Sequence, residues 1–367
     1  MTGRVPPEEG TQLETSTVAR ETVLAALGRV QDPDLKRDLV TLGMIEDLVL
    51  EDGRVAFTLV LTTAACPLKA QIEGECRTAV LAVPGVREVA INTTARVRKA
   101  AHPTADRKSL DGVAHVVAIG SGKGGVGKTT VSANLAASLA ASGARVGLLD
   151  GDIYGPNLPR MLGVNRQPSQ REGKIVPVEA WGIRFMSMGL LVSQGEAVVW
   201  RGPMLHGAIK SFLHDVDWGE LDYLLVDLPP GTGDVQLSLI QQTVVAGAVI
   251  VATPSTVAID DAVKAVAMFD KLQVPVLGMI ENMSGFECPG CGARHELFAP
   301  SGAVEARALA MGRPFLGAIP LHPDVRGGGD EGRPIVLSKP ESACGRAFTA
   351  LAGQLARRVS IQTLGAA

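Results

Sequence analysis

The chain has 367 residues, of which 46% are hydrophobic, so it is long enough to fill the cores of two domains. Its net charge of −3 provides no global basic field for nucleic-acid binding, and no apolar run reaches the roughly 18 residues of a membrane helix. Five cysteines are too few and too irregularly spaced for a disulfide framework. With a polar, acidic N-terminus, these features predict a cytoplasmic protein that binds neither nucleic acid nor a membrane.

The first quarter of the chain predicts a small separate domain. Residues 1–15 are polar and contain adjacent prolines, so we expect them to be disordered. Residues 16–93 predict the order α-β-β-α-β, with a hairpin turn at Asp52-Gly53. A basic linker, residues 94–111, follows. The predicted elements of the small domain are helices over residues 18–30 and 62–83 and strands over residues 44–50, 55–61 and 86–91.

Residues 112–367 alternate short apolar runs with helical segments, which is the pattern of an α/β fold with a doubly wound, mostly parallel sheet. Several runs are almost continuously apolar, as strands covered on both faces are. Ligands bind at the carboxyl ends of such strands, so we expect the functional motifs there. The predicted strands are residues 113–119, 145–149, 183–188, 223–226, 248–252, 276–280 and 315–319.

The first of these strands leads into AIGSGKGGVGKTT, which matches the phosphate-loop pattern G-x-x-x-x-G-K-S/T and precedes a helix predicted over residues 130–139. Glycines leave backbone N–H groups open to an anion, and the helix N-terminus adds a positive dipole. Lys128 is predicted to neutralise the β- and γ-phosphates of ATP, and Thr129 to hold Mg²⁺. The predicted nucleotide-binding residues are Gly122, Lys123, Gly124, Gly125, Val126, Gly127, Lys128, Thr129 and Thr130.

The loop contains a second lysine, Lys123, that an ordinary phosphate loop does not need. The segment KGGVGK resembles the deviant phosphate loop of the MinD/ParA/nitrogenase-iron-protein ATPases. That resemblance implies a nucleotide-sandwich homodimer in which Lys123 reaches the phosphates bound to the partner, as an arginine finger supplied in trans does. A lysine merely solvated at the loop edge is the alternative.

Two aspartates end predicted strands beside this loop: Asp150 ends RVGLLD, and Asp227 ends DYLLVD. Carboxylates there suit a magnesium site, which needs hard oxygen ligands. The same resemblance makes Asp227 the Walker-B carboxylate. It assigns Asp150 and Asp152 to a switch, with Asp152 positioning the attacking water and Asp150 nearer the metal. It also matches Asn282 to the residue that hydrogen-bonds adenine. Aspartates or an asparagine that only form turns are the alternatives.

Cys288 and Cys291 form a C-x-x-C pair, which brings two thiolates within reach of one metal centre. Zinc sites and [4Fe–4S] clusters usually take four ligands, and the chain contains no second C-x-x-C. Either His295 and Cys344 contribute, or a symmetric dimer supplies two thiolates from each subunit. The spacing alone does not distinguish iron–sulfur from zinc. His295 on its own favours a surface position, and Cys344 a core position.

The segments LDGDIYGPNLP, VDLPPGTGD, ENMSGFECPGCG and GRPIVLSKPES together resemble the Mrp/ApbC family of iron–sulfur cluster carriers, over about residues 17–360. The resemblance implies an ATP-hydrolysing homodimer that uses Cys288 and Cys291 to hold a labile bridging [4Fe–4S] cluster. It implies a cluster-assembly scaffold and apo iron–sulfur proteins as partners. It also places Pro320 in the loop that flanks the base.

Two rival functions are a zinc-bridged P-loop ATPase and a MinD/ParA-type positioning ATPase. The second works through a membrane or DNA, and needs an amphipathic anchor or a basic stripe. The final helix lacks the lysines and bulky residues of such an anchor, so it is predicted to be an ordinary docking helix. Its apolar residues at helical spacing are Phe348, Leu351, Leu355 and Val359.

The small domain resembles a domain of iron–sulfur assembly factors, through DPDLKRDLVTLGMI and LTTAACPLK. The resemblance implies a functional role for Cys66, the cysteine before the proline. We expect Cys66 at a helix N-terminus, where the dipole would lower the pKa of its thiol. A small buried hydrophobe is the alternative. Cys76, in the middle of the same predicted helix, is expected to be a core residue.

Overall fold

The computed structural model describes residues 18–98, 109–153, 155–191, 202–288 and 290–365. The segment predicted to be disordered and most of the predicted linker lie outside these residues. By its internal contacts the chain forms two compact units. The smaller contains the residues up to Leu61 and Leu68–Thr94, and the larger contains Thr62–Pro67 and the residues from Ala95 onward.

The smaller unit has the predicted α-β-β-α-β order and a three-stranded sheet in the order β1-β2-β3. β1 and β2 pair antiparallel across the predicted turn, where Asp52 and Gly53 both have positive φ. Both helices turn apolar residues inward, and Cys76 is buried in the second helix as predicted. The elements are α1 (Arg20–Leu27), β1 (Ile45–Glu51), β2 (Arg54–Leu61), α2 (Lys69–Leu81) and β3 (Glu88–Ala95).

The predicted start of the second helix was wrong. α2 begins at Lys69 rather than residue 62, and Cys66 lies in the turn before it. The residue before a proline is kept out of the helical region by the proline ring, so a helix that started at residue 62 could not run through Cys66, which precedes Pro67. Cys66 is half-buried and lies three residues before the first residue of α2.

The larger unit is built on a nine-stranded sheet in the order β13-β12-β11-β4-β10-β5-β9-β8, with β14 pairing with β12. Six neighbouring pairs are parallel, and the short strands β8 and β13 are antiparallel. The strands are β4 (Val113–Gly120), β5 (Val146–Asp150), β6 (Ser169–Arg171), β7 (Lys174–Val176), β8 (Val178–Ala180), β9 (Ile183–Ser187), β10 (Leu221–Asp227), β11 (Gly247–Ala252), β12 (Val276–Glu287), β13 (Arg294–His295) and β14 (Phe315–Leu321). β6 and β7 form a separate antiparallel pair.

Helices cover both faces of this sheet. Val117 and Ile119 of β4 belong to one hydrophobic core, and Val116 and Ala118 between them belong to a second core on the other face. This confirms the predicted α/β class with a doubly wound, mostly parallel sheet. The helices are α3 (Lys128–Ala141), α4 (Leu158–Met161), α5 (Gly202–His214), α6 (Asp234–Gln242), α7 (Thr256–Lys271), α8 (Ala303–Ala310), α9 (Pro323–Asp330), α10 (Ile335–Ser338) and α11 (Ala343–Leu364).

The final helix, α11, packs its apolar side into the first of these cores. Phe348, Leu351, Leu355 and Val359 are all buried there, so the prediction of a docking helix is confirmed. Within the described residues, none of the helices combines the length and the apolar character that crossing a bilayer requires.

Candidate functional site

The phosphate loop connects β4 to α3 at the carboxyl edge of the sheet. Gly127 precedes α3 with a left-handed φ of 79° and has no side chain to cap the first N–H groups of the helix. Gly122 lies against the backbone of Asp261 in α7, so closely that any Cβ would collide with it. Only glycine fits at both positions, which leaves the backbone N–H groups and the positive end of α3 accessible to an anion.

Asp227 is the polar centre of the site. It is completely buried, and its Oδ1 lies 2.8 Å from Nζ of Lys128, which is 6% exposed. Its Oδ2 accepts a 2.8 Å hydrogen bond from the Thr129 hydroxyl, and Oδ1 accepts a 2.6 Å bond from the Ser132 hydroxyl. The structure thus brings together the predicted phosphate lysine, the predicted magnesium ligand and the predicted Walker-B carboxylate. The hard oxygens of Thr129 and Asp227 suit Mg²⁺.

Asp150 lies beside Asp227 in the register of β5 with β10. It accepts a 2.9 Å hydrogen bond from the Ser187 hydroxyl and a 3.2 Å bond from the backbone N–H of Asp152. Burial, and then the charge of Asp227, raise the pKa of Asp150 to about 8. Asp152 is half-buried, and its Oδ1 accepts from the N–H of Gly155 at 3.3 Å. Two carboxylates with different surroundings therefore follow the end of β5.

Lys123 is half-exposed at the edge of the loop, where its carbonyl accepts a 3.1 Å hydrogen bond from the Ser121 hydroxyl. Within the described residues, the Lys123 ammonium makes no ion pair or side-chain hydrogen bond, unlike the ammonium of Lys128. The two lysines of the loop thus have different surroundings: one is buried against a carboxylate, and the other is accessible from outside.

A cavity of about 420 Å³ opens beside the loop, large enough for a nucleoside. Asn282 of β12 lines it and donates a 2.8 Å hydrogen bond from Nδ2 to the carbonyl of Val126 in the loop. Its amide oxygen remains available for a base edge, so the predicted contact with adenine stays a prediction. The cavity is lined by Gly127, Thr130, Asn157, Arg160, Met161, Asn282, Met283, Pro320, Leu321, His322, Val325, Arg326, Gly329 and Asp330.

The cysteine pair lies at the tip of a hairpin formed by β12 and β13. Phe286 pairs with His295, and the N–H of Cys288 donates a 2.9 Å bond to the carbonyl of Ala293. Backbone N–H groups of Gly290 and Cys291 donate to the Cys288 sulfur and lower the pKa of its thiol. Cys288 is half-buried and Cys291 is exposed. The Cys288 thiolate is thereby favoured, and both sulfur-bearing side chains are at least partly accessible.

The hairpin brings together two of the predicted metal ligands, Cys288 and Cys291. In the portion of the chain that the structure describes, no group of three or more His, Cys, Asp or Glu side chains is placed to hold a metal ion. His295 is exposed, and Cys344 is buried, with its thiol directed to the carbonyl of Pro320 at 3.5 Å. Both therefore have the surface and core positions expected of them.

Three residues that organise the carboxylates and the glycine-rich loop after Asp227 were not predicted. Ser132 and Ser187 are the hydroxyl partners of Asp227 and Asp150. Gln236 is buried and donates 2.9 Å bonds to the carbonyls of Pro229 and Gly231. Ser132 could have been found from its i+4 spacing to Lys128 on α3, and Gln236 from its N3 position in α6, where its Oε1 accepts from the N–H of Gly233.

Comparison with known proteins agrees with this geometry. The profile of a family described as "NUBPL iron-transfer P-loop NTPase" matches residues 112–356, and that of a domain described as "iron-sulfur cluster assembly protein" matches residues 20–92. A nucleotide-binding protein from Archaeoglobus fulgidus, solved in complex with ADP, is 38% identical with a TM-score of 0.55, over 65% of this chain and 93% of that chain.

Two curated relatives named "Iron-sulfur cluster carrier protein" resemble almost the whole chain. The one from Deinococcus radiodurans is 53% identical, over 94% of this chain and 97% of its own length. The one from Escherichia coli is 39% identical, over 96% and 95%.

The fold and the phosphate site define a P-loop NTPase of the MinD/ParA type, with a cysteine hairpin at the end of one central strand. Within that class, the chain belongs to the Mrp/ApbC family of iron-transfer NTPases, and carries the family's small N-terminal domain. The resemblance seen in the sequence motifs is thereby confirmed.

Proposed function

We propose that this protein is an ATP-hydrolysing iron–sulfur cluster carrier. Two copies hold one labile [4Fe–4S] cluster between their Cys288 and Cys291 thiolates, receive it from a cluster-assembly scaffold and pass it to apo-proteins. The observation that carries the proposal is that one strand, β12, contacts the phosphate loop and also leads directly into the cysteine pair. β12 binds the phosphate loop through Asn282 and ends one residue before Cys288. The names of the curated relatives support the cluster as cargo.

The phosphate site supports the ATPase part of the proposal. Asp227 holds Lys128 in a buried ion pair, and ATP draws the Lys128 ammonium onto its β- and γ-phosphates. Thr129 and Asp227 would hold Mg²⁺ through their oxygens, and the ion would supply charge neutralisation at the phosphates. Asp152 positions the attacking water. Lys123, accessible at the loop edge, completes the charge stabilisation at the phosphates bound by the partner.

The region between nucleotide and cysteines supports a coupling of hydrolysis to cluster loading or transfer. The pairing of β12 with β14 shifts register between Asn282 and Phe286. Met283 in this bulge has a left-handed φ of 58°, which costs free energy for a residue with a side chain. A bulge with a strained residue is a natural place for a conformational change, and it lies between the two sites.

One segment of the chain lines a cavity at each of the two sites. A second cavity, of about 260 Å³, lies beside Cys288 and is bordered by Cys344. Pro320, Leu321 and His322, which follow one another at the end of β14, line both this cavity and the larger one beside the phosphate loop. A movement of this segment on nucleotide binding would therefore change the surroundings of Cys288.

Anaerobic reconstitution with iron and sulfide, followed by analysis of iron, sulfide and zinc, tests the proposal. We expect Cys288→Ser and Cys291→Ser to lose the cluster and keep ADP binding. Cys76→Ala, a buried cysteine whose pKa burial raises to about 12, is the matched control and keeps both. A Cys288→Ser protein with full iron and sulfide would overturn the ligand assignment. If the wild-type protein binds zinc and does not assemble a cluster, the result favours the zinc-bridged ATPase.

A further inference from the structure

Two large apolar side chains lie exposed directly after the cysteine hairpin. Leu297 and Phe298 leave 56% and 51% of their surfaces accessible, and they follow His295 at the end of β13. Scattered exposed apolar residues are normal on protein surfaces. Two adjacent ones beside the Cys288–Cys291 pair are less ordinary, because such patches often mark contact surfaces.

The segment that carries them is held in place by a polar network. The Glu296 carboxylate accepts hydrogen bonds from the N–H and the hydroxyl of Ser301, at 3.0 and 2.8 Å. The Arg294 guanidinium donates to the same hydroxyl at 2.9 Å and lies 3.5 Å from the Glu296 carboxylate. Since Arg294 belongs to β13, this network ties the start of the segment to the cysteine hairpin.

The end of the segment is tied to the central sheet. Glu281 of β12 is completely buried, and its carboxylate accepts 2.9 Å hydrogen bonds from the N–H groups of Gly302 and Val304. These bonds cap the N-terminus of α8, where a carboxylate also meets the positive end of the helix dipole. A segment held at both ends loses little conformational entropy when a partner covers it.

We propose that Leu297 and Phe298 are the apolar contact through which a second copy of this chain packs around the cysteine pairs. The inference rests on the proposed function, in which two copies share one cluster. A two-fold axis that brings two Cys288–Cys291 pairs to one centre brings the flanking parts of both hairpins together as well. Leu297 lies only six residues after Cys291, and its segment is bonded to the same hairpin. The second copy is therefore the occupant that the incomplete metal site itself requires.

The test compares a double variant, Leu297→Ser with Phe298→Ser, with the matched control Leu309→Ser. Leu309 is 66% exposed on α8 and lies outside the tied segment. The dimer dissociation constant of the full-length, cluster-loaded protein is measured by analytical ultracentrifugation under anaerobic conditions. We expect the double variant to raise this constant by about tenfold or more. The control leaves it unchanged, and both proteins keep wild-type ADP binding and far-UV circular dichroism.

The inference is overturned if the wild-type protein dimerises on its cluster and the double variant has the same dissociation constant. That result leaves the proposed function intact. If that variant then transfers its cluster to an apo-ferredoxin more slowly, the surface docks recipients instead. A wild-type protein that holds a complete cluster as a monomer overturns both. The single variant Phe298→Ala repeats the comparison with a smaller perturbation, should the double variant fold poorly.

Discussion

Replacing Asp227 with asparagine removes the charge that compensates Lys128 in the nucleotide-free protein. The two side chains are 0% and 6% exposed, and their charged atoms lie 2.8 Å apart. Removing one partner of a buried ion pair costs about 3–5 kcal/mol, because the other charge stays buried alone. We expect Asp227→Asn to lower the free energy of unfolding by about 3 kcal/mol. This value is at the low end of that range because the asparagine amide keeps some of the hydrogen bonds.

The assay is urea unfolding followed by tryptophan fluorescence. All three tryptophans lie between residues 181 and 218, so the signal reports the larger unit. The matched control is Asp222→Asn at the other end of β10. Asp222 lies 2.7 Å from Arg145, whose side chain is 56% exposed. The Arg145 guanidinium stays largely in water when its partner is neutralised, and an asparagine oxygen can still accept the bond from the Arg145 backbone N–H, so this loss should be smaller than that of Asp227→Asn.

A double-mutant cycle isolates the pair. Lys128→Met alone leaves the Asp227 carboxylate uncompensated, so the double variant should be more stable than the sum of the two losses predicts, by about 2 kcal/mol. Strictly additive losses, or a control loss as large as that of Asp227→Asn, would refute the buried-pair reasoning. In the proposed mechanism the nucleotide phosphates draw Lys128 away from Asp227, so we also expect Asp227→Asn to bind metal-free ADP at least as tightly as the wild type.

Three further predictions concern the loop lysine, the buried carboxylate and the thiols. Lys123→Ala should lower ATP turnover by about 100-fold or more without weakening ADP binding, and normal turnover would exclude a role in trans. The pKa of Asp150 is raised from 3.8 to about 8, so the native state keeps a proton that the unfolded chain releases. The unfolding free energy of the magnesium-free protein should therefore contain a component that falls as the pH rises between those values. Asp150→Asn should remove it, and equal slopes in both proteins would contradict the assignment. Iodoacetamide should label Cys288 at least about tenfold faster than Cys76 near neutral pH, as measured by peptide mass spectrometry. The pKa of Cys288 is lowered and that of Cys76 is raised, so Cys288 holds more thiolate. Equal labelling rates would contradict the two environments.

Local chemistry explains what could be predicted from the sequence. The glycines and lysines of the phosphate loop determine its conformation within a few residues. An apolar run that ends in an aspartate predicts a strand and places the aspartate at the carboxyl edge of the sheet. Asp150 and Asp227 accordingly lie at the carboxyl ends of adjacent strands. The buried face of α11 followed from helical spacing alone.

The features that were missed depend on tertiary arrangement. Ser187 meets Asp150 because β9 lies next to β5 in the sheet, and strand order is not visible in residue spacing. β12 extends seven residues beyond its predicted end, because the bulge around Met283 interrupts the regular strand pattern. The position of Cys66 was wrong because helical spacing was followed across Pro67, where a local steric rule should have stopped it.

Native mass spectrometry of the anaerobically reconstituted wild-type protein, with iron and sulfide counted on the same sample, tests the central claim most directly. A dimer that carries a single [4Fe–4S] cluster, and separates into cluster-free monomers when the cysteines are alkylated, is the predicted result. A monomer that carries a whole cluster would contradict the account.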